Sequence, residues 1–273
     1  MTVTEKNNDI VLCSAQCFDV SLSVFCGQAF RWSKNGNIIH GIIGKKPVNI
    51  IQKENEIIFK NTDRETFEKI IAPYFDLARN YDKILASFDD KYIKQACKEY
   101  YGIRILKQDE WEALCSFIIS QNNNIPRICG IVSRLCETFG EPLGEGDFSF
   151  PSYETLAVLK EDDLAPLRAG FRAKYILDAA KKLKDGEIKI EKIRELPLEE
   201  AREELMKIKG VGKKVAECTL LYGFGRLDAF PIDVWVKRIL GELYNGEFPR
   251  CADGYRGVAQ QYLFHWRRHL DRA

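Results

Sequence analysis

The feature that most constrains this chain is the stretch LMKIKGVGKKVAECTLLYGFGRLDAFPIDVWVKRIL, residues 205–240. Two apolar-periodic segments are joined there by a connection too short for anything but a tight turn between helices. Gly210 and Gly212 supply positive φ in that turn, or let another backbone approach closely. The N–H groups from Gly210 to Lys213 then point outward at the start of the second helix, which is an anion site in its own right. Lys207, Lys209, Lys213 and Lys214 fall together with no acid between them, so a phosphate, or a cation bridging to one, is the natural ligand. Such turns also occur without any ligand, and this one alone leaves DNA binding open.

The rest of the chain divides by periodicity. Between Phe30 and Phe59 short β-rich runs alternate with turns: AFRW, Asn35-Gly36, NIIHGII, Gly44 to Pro47, VNIIQ and EIIFK. Asn-Gly between apolar runs is a strong hairpin signal, so an antiparallel sheet is predicted. Helices over 64–75 and 81–97 are expected to cover it. Beyond about Gln108 the period becomes helical, and DEWEALCSFIIS puts Trp111, Leu114, Cys115, Ile118 and Ile119 on one stripe. IPRICGIVSRLCETFG repeats the pattern and ends at Gly140, a C-cap candidate, before the Gly/Pro-rich connector EPLGEGDFSFPS. Further helices are expected at 153–159, 162–168, 173–185, 198–208, 213–223, 234–244 and from 254 onward. The fold class is α+β, with an N-terminal antiparallel β-rich domain over 1–105 and a mostly helical domain over 106–273.

Composition removes several function classes. A hydrophobic content of 45% with 30% charged residues is ordinary globular usage and excludes a disordered or fibrous chain. No apolar run approaches the roughly 18 residues of a membrane span. The start MTVTEKNNDI carries no export signal, so a soluble, non-secreted protein without a membrane partner is expected. Its place would be the cytoplasm or nucleoid of a prokaryote, or the nucleus of a eukaryote. Nine scattered cysteines without any C-x-x-C read as reduced thiols inside the core. With His40, His265 and His269 the only histidines, neither a zinc site nor an iron–sulfur cluster is expected. The net charge of +1 is uninformative, but Arg267, Arg268 and Arg272 crowd the C-terminal end.

The hairpin GVGKKVAEC, followed by FPIDV with Asp233 nineteen residues after Lys214, resembles the helix-hairpin-helix glycosylases of base-excision repair, and among them the 8-oxoguanine DNA glycosylase/AP lyases. The resemblance continues through CGQAFRW, SQNNNIPRI, AGFRAKY and VAQQYLF. It implies a TATA-binding-protein-like sheet, two helical lobes with the active-site cleft between them, and a monomer. It also implies double-stranded DNA containing 8-oxoguanine as partner, with no cofactor required beyond a cation that the hairpin can hold. Lys214 and Asp233 take the catalytic positions, and Gly210, Gly212 and Lys213 those of the hairpin on the DNA backbone.

The chemistry can be argued from the residue types. Base excision passes through an oxocarbenium-like sugar, which a neutral amine can capture at C1′ as a Schiff base that eases β-elimination. A lysine in water is only about 0.04% neutral at pH 7. A helix N-terminus with Lys213 adjacent disfavours the ammonium, which makes Lys214 a credible nucleophile. Asp233 precedes the helix starting at Val234 and can cap it, or can stabilise the sugar cation and help deprotonate the amine.

A base must leave the duplex to be excised. Asn122 to Asn124 can form an Asx turn and cap the next helix. The resemblance instead makes Asn122 the filler of the vacated stack. It makes Phe171 a wedge, where the family more usually has tyrosine, and Arg172 and Arg127 readers of the opposite cytosine. The Gly27 carbonyl matches the reader of the lesion's N7–H, Cys218 and Phe264 the walls that sandwich the base, and Gln260 the partner of its pairing edge. Core packing is the simpler reading of Cys218 and Phe264. Trp235 departs from the family's phosphate-binding histidine. Two other readings are a glycosylase for another base, disfavoured by Lys214 and the cysteine spacing, and a non-catalytic DNA-binding hairpin, which would need no Asp233.

Overall fold

The computed structural model describes residues 2–13 and 17–270, so Arg272 lies outside it. Six strands, β1 (Thr2–Lys6), β2 (Asp9–Cys13), β3 (Trp32–Asn35), β4 (Ile38–Ile43), β5 (Lys46–Gln52) and β6 (Glu56–Lys60), form an antiparallel sheet in the order β1-β2-β6-β5-β4-β3. The strands between Phe30 and Phe59 agree with the expected alternation, although β3 starts only at Trp32. Trp32 pairs with Gly41 across the sheet, where a Cβ would lie 2.3 Å from the indole, so the ring lies over bare backbone. The β1–β2 pair was not anticipated. Its strand TVTEK is largely exposed, and its turn is Asn7-Asn8, with φ of 52° and 64°, a primed hairpin turn without glycine.

One face of the sheet is covered by α1 (Val20–Phe25) and by a continuous helix made of α2 (Arg64–Thr66), a π turn at Phe67–Ile71 and α3 (Ala72–Tyr74). The expected helix over 81–97 is two helices, α4 (Tyr81–Ser87) and α5 (Lys91–Glu99). Asp90 splits them, because its carboxylate accepts the N–H groups of Tyr92 and Ile93 and starts a new helix. Nor do they cover the sheet: Tyr81, Ile84, Phe88, Ile93 and Ala96 are buried in the helical core.

That core is built from α6 (Glu110–Ile119), α7 (Ile125–Phe139), α8 (Tyr153–Ala157), α9 (Ala173–Lys184), α10 (Ile190–Glu195), α11 (Leu198–Met206), α12 (Lys213–Tyr222), α13 (Val234–Leu243) and α14 (Arg256–Leu270). A small hairpin, β7 (Pro142–Gly144) with β8 (Asp147–Phe148), lies in the connector. One expectation needs correction and one helix was not foreseen. Residues 161–167 form a 3-10 turn around Pro166 rather than an α-helix. The short α10 was missed, since Ile193 is its sole buried side chain. Gly140 is the C-cap of α7, as expected, in extended backbone with φ −83°, and a Cβ there would sit 2.0 Å from the Ser149 carbonyl oxygen. No helix of the described residues is long and apolar enough to cross a membrane.

The two cores are joined through Arg104, only 2% exposed. Its Nε donates to the Cys17 carbonyl at 2.9 Å and its Nη1 to those of Asp76 and Arg79, while the guanidinium lies over the Phe18 and Tyr81 rings. Phe18 belongs to the sheet core and Tyr81 to the helical one. Arg104→Leu leaves buried carbonyls unpaired and is expected to lower unfolding free energy by about 3 kcal/mol, read from urea denaturation midpoints.

Candidate active site

The hairpin between α11 and α12 is docked on α9. Gly210 has φ +79°, and a Cβ there would meet the Tyr175 ring at 2.3 Å. The Lys209 N–H donates to Asp178 at 2.7 Å, and Lys182 Nζ donates to the Lys207 carbonyl at 2.6 Å. Gly212 differs from the expectation of positive φ: it is the N-cap of α12 with φ −96° and open space where a Cβ would be. Lys213 follows it, exposed.

Lys214, Cys218 and Tyr222 then repeat at helical spacing along one face of α12. The half-buried Lys214 amine donates to Ser120 Oγ at 3.1 Å and lies 5.2 Å from the centre of the Phe117 ring, which stacks on Tyr222. Ser120 donates its own hydroxyl to the Phe117 carbonyl, so it faces the amine as an acceptor. Cys218 is buried beneath, and burial pushes its thiol up to about 11 against the opposing pull of Lys214. Beside it, buried Glu217 pairs with Arg202 and accepts the Phe230 N–H at 2.7 Å, anchoring the chain just before Asp233. Asp233 caps α13 through the N–H groups of Trp235 and Val236 at 2.9 and 2.8 Å.

A cleft of about 930 Å³ collects Lys214, Asp233, Gly27, Asn122, Phe171, Gly210, Gly212 and Phe264. Gly27 has φ +94°, and a Cβ there would crowd Ile125, Phe264 and Arg268 at 3.2 to 3.5 Å. Gln260, Phe264 and Arg268 form a stripe on α14; Gln260 is buried with its Oε1 unpartnered, and Arg268 lies over the Phe264 ring. Of the three asparagines, Asn124 caps α7 and Asn123 bonds the Ile119 carbonyl, while Asn122 sits exposed at φ +46°. Arg127 is exposed one turn later.

Arg172, which the resemblance implied as a cytosine reader, lies beside the asparagine loop. It is 3% exposed, and its guanidinium donates to the carbonyls of Gln121, Asn122 and Ala169, a clamp on the asparagine loop. Burial, with the Arg127 charge nearby, holds it below the ordinary guanidinium range. Phe171 beside it is 44% exposed and edge-on to Tyr175. Sequence reading missed Ser120, Phe117 and Arg268; the last could have been found from its spacing of four after Phe264. Among the described residues no group of three or more His, Cys, Asp or Glu side chains gathers to hold a metal ion.

Residues 10–114 match the family model described as 8-oxoguanine DNA glycosylase, N-terminal domain, and residues 115–249 that of the HhH-GPD superfamily base excision DNA repair protein. The fold superposes on MBOgg1 in complex with a low affinity DNA ligand, with TM-score 0.93, 39% identity and 99% of each chain covered. It superposes equally, at 34% identity and 99% of each chain, on the Clostridium acetobutylicum 8-oxoguanine glycosylase/lyase in complex with double-stranded DNA containing cytosine opposite 8-oxoG, TM-score 0.93. The Saccharomyces cerevisiae N-glycosylase/DNA lyase is 33% identical over 246 residues, 78% of this chain, which spans 65% of the yeast protein's length. Fold and site thus define a helix-hairpin-helix DNA repair glycosylase. The chain belongs to the 8-oxoguanine DNA glycosylase family.

Gly210→Ala is expected to destabilise the protein by about 3 kcal/mol, through ring overlap and a strained φ, whereas Gly212→Ala costs at most about 1 kcal/mol. Chemical unfolding of the two variants checks the contrast.

Proposed function

We propose that this protein is a monomeric, bifunctional glycosylase that excises 8-oxoguanine from duplex DNA and cleaves the abasic strand. The observation that carries the reading is one cleft holding the Lys214 amine, the Asp233 carboxylate, the Gly27 turn and the Phe264 ring. The neutral Lys214 amine attacks C1′; the C1′–N9 bond breaks, and its electron pair leaves with the base, which takes up a proton. Asp233, which lines the same cleft, stabilises the cationic sugar as the bond breaks. The attached amine gives up a proton, the C1′–O4′ bond breaks with O4′ taking one up, and the resulting iminium acidifies the C2′ hydrogen, whose loss expels the 3′ phosphate. Water then hydrolyses the Schiff base and returns the amine. This chemistry calls for no cofactor.

Specificity follows from donors and acceptors. Guanine presents an acceptor at N7, whereas 8-oxoguanine presents N7–H, which the Gly27 carbonyl accepts. The unpartnered Gln260 Oε1 is a buried acceptor suited to the N–H groups of the base's pairing edge. Phe264 and Cys218 stack on the flipped base. Asn122 fills the hole it leaves, Phe171 wedges the stack, and Arg127 meets the opposite cytosine. Gly212, open to the cleft, and Lys213 approach the phosphate backbone, where the hairpin can also hold a cation.

Lys214→Gln is expected to abolish both base release and strand cleavage on an 8-oxoguanine:cytosine duplex, by roughly a thousandfold or more. Its affinity for that duplex stays within about threefold, because backbone contacts dominate binding. Product analysis by gel and a binding titration read the two quantities; turnover by the variant would contradict the mechanism.

A further inference from the structure

Gly27 lacks a side chain that could fix it, yet the residues on both sides are held. The Gln28 carbonyl accepts from Gln108 Nε2 at 2.7 Å, and the buried Gln28 side chain bonds the carbonyls of Ser23 and Arg104 and the Leu106 N–H. On the other side, the Cys26 carbonyl accepts from Gln261 Nε2 at 3.2 Å. Gln261 is 1% exposed, and its Oε1 accepts the Tyr222 hydroxyl proton at 2.5 Å. Burial raises the Tyr222 phenol well above its ordinary range, so it remains a donor.

Tyr222 closes the chain of contacts, because it lies two turns beyond Lys214 on the same face of α12. Its ring stacks on Phe117 at 5.2 Å, and Phe117 lies beneath the Lys214 amine. One run of hydrogen bonds and ring contacts therefore connects the nucleophile's helix, through α14, to the turn before Gly27. An amide at position 261 is suited to this task, since it donates to one neighbour and accepts from the other.

We propose that Gln261, oriented by Tyr222, is a positioning residue for lesion recognition: it fixes the Cys26–Gly27 peptide to helix α12, so that the Gly27 carbonyl stands at a set distance from the base that Lys214 attacks. The proposal rests on the reading of Gly27 as the acceptor of the lesion's N7–H. A residue that merely filled the core would support lesion-dependent and lesion-independent steps alike. Gln261 supports the first alone, because strand cleavage at an abasic site involves no base.

The test compares single-turnover base release from an 8-oxoguanine:cytosine duplex with strand cleavage of a duplex carrying a preformed abasic site. Gln261→Met, similar in length but without the amide, is expected to slow base release by about tenfold or more while abasic cleavage stays within about twofold. Tyr222→Phe removes one hydroxyl and leaves the ring stacked; it is expected to shift the same ratio in the same direction by about threefold. If Gln261→Met does not fold, as judged by circular dichroism, the Tyr222→Phe ratio decides the question. An unchanged ratio in the folded variants, whether both rates fall together or neither moves, overturns the proposal. A wild-type protein that cleaves abasic DNA but releases no 8-oxoguanine overturns the reading of Gly27, and the role of Gln261 with it.

Discussion

The site depends on one close contact, the bare α-carbon of Gly210 against the Tyr175 ring. With a methyl group there, the turn could not approach α9, and α12 could not start where it does. The position of that helix determines everything on it. Its cleft-facing side carries Lys214 above Cys218 and Tyr222, and next to Cys218 it carries Glu217, whose bond to the Phe230 N–H sets the approach to Asp233. The Lys214 amine and the Asp233 carboxylate, nineteen residues apart in the chain, thus share one cleft because a glycine and a buried ion pair fix the two ends of one helical segment.

The opposite wall is made by a different device. The turn carrying Gly27 belongs to the first thirty residues, yet buried amides and α14 hold it. Cys17, Cys26 and Phe30 are counted in the helical core and Leu106 in the sheet core, so the two cores interlock rather than abut. Arg104 lies at the crossing, with its guanidinium between rings of both. Such a joint favours a rigid reading wall over a swinging one. The groups of the site that reach outward are Asn122, Arg127 and Phe171, all of them exposed.

Much of this was legible in the residues because short-range rules govern it. The glycine-bearing turn, the lysine just inside a helix start and the aspartate at an N-cap each announce themselves within a few positions. What escaped has long-range or context-dependent causes. Ser120 and Phe117 matter only because α6 packs along α12, and nothing in DEWEALCSFIIS signals a partner ninety-four residues away. The inward bonds of the Arg172 guanidinium to the carbonyls of Gln121 and Asn122 cannot be read from GFRAKY, because they depend on where the asparagine loop lies. Gly140 is legible as a helix cap, but the clearance it gives the Ser149 carbonyl is not. The first hairpin hid behind two asparagines doing the work usually given to glycine.

The account stands on covalent capture of the sugar by Lys214. Borohydride reduction during reaction with an 8-oxoguanine:cytosine duplex, followed by mass spectrometry of the digested protein, addresses it directly. The account predicts a lesion-dependent adduct whose single modified residue is Lys214. Base release without an adduct, or an adduct on any other amine, would contradict it.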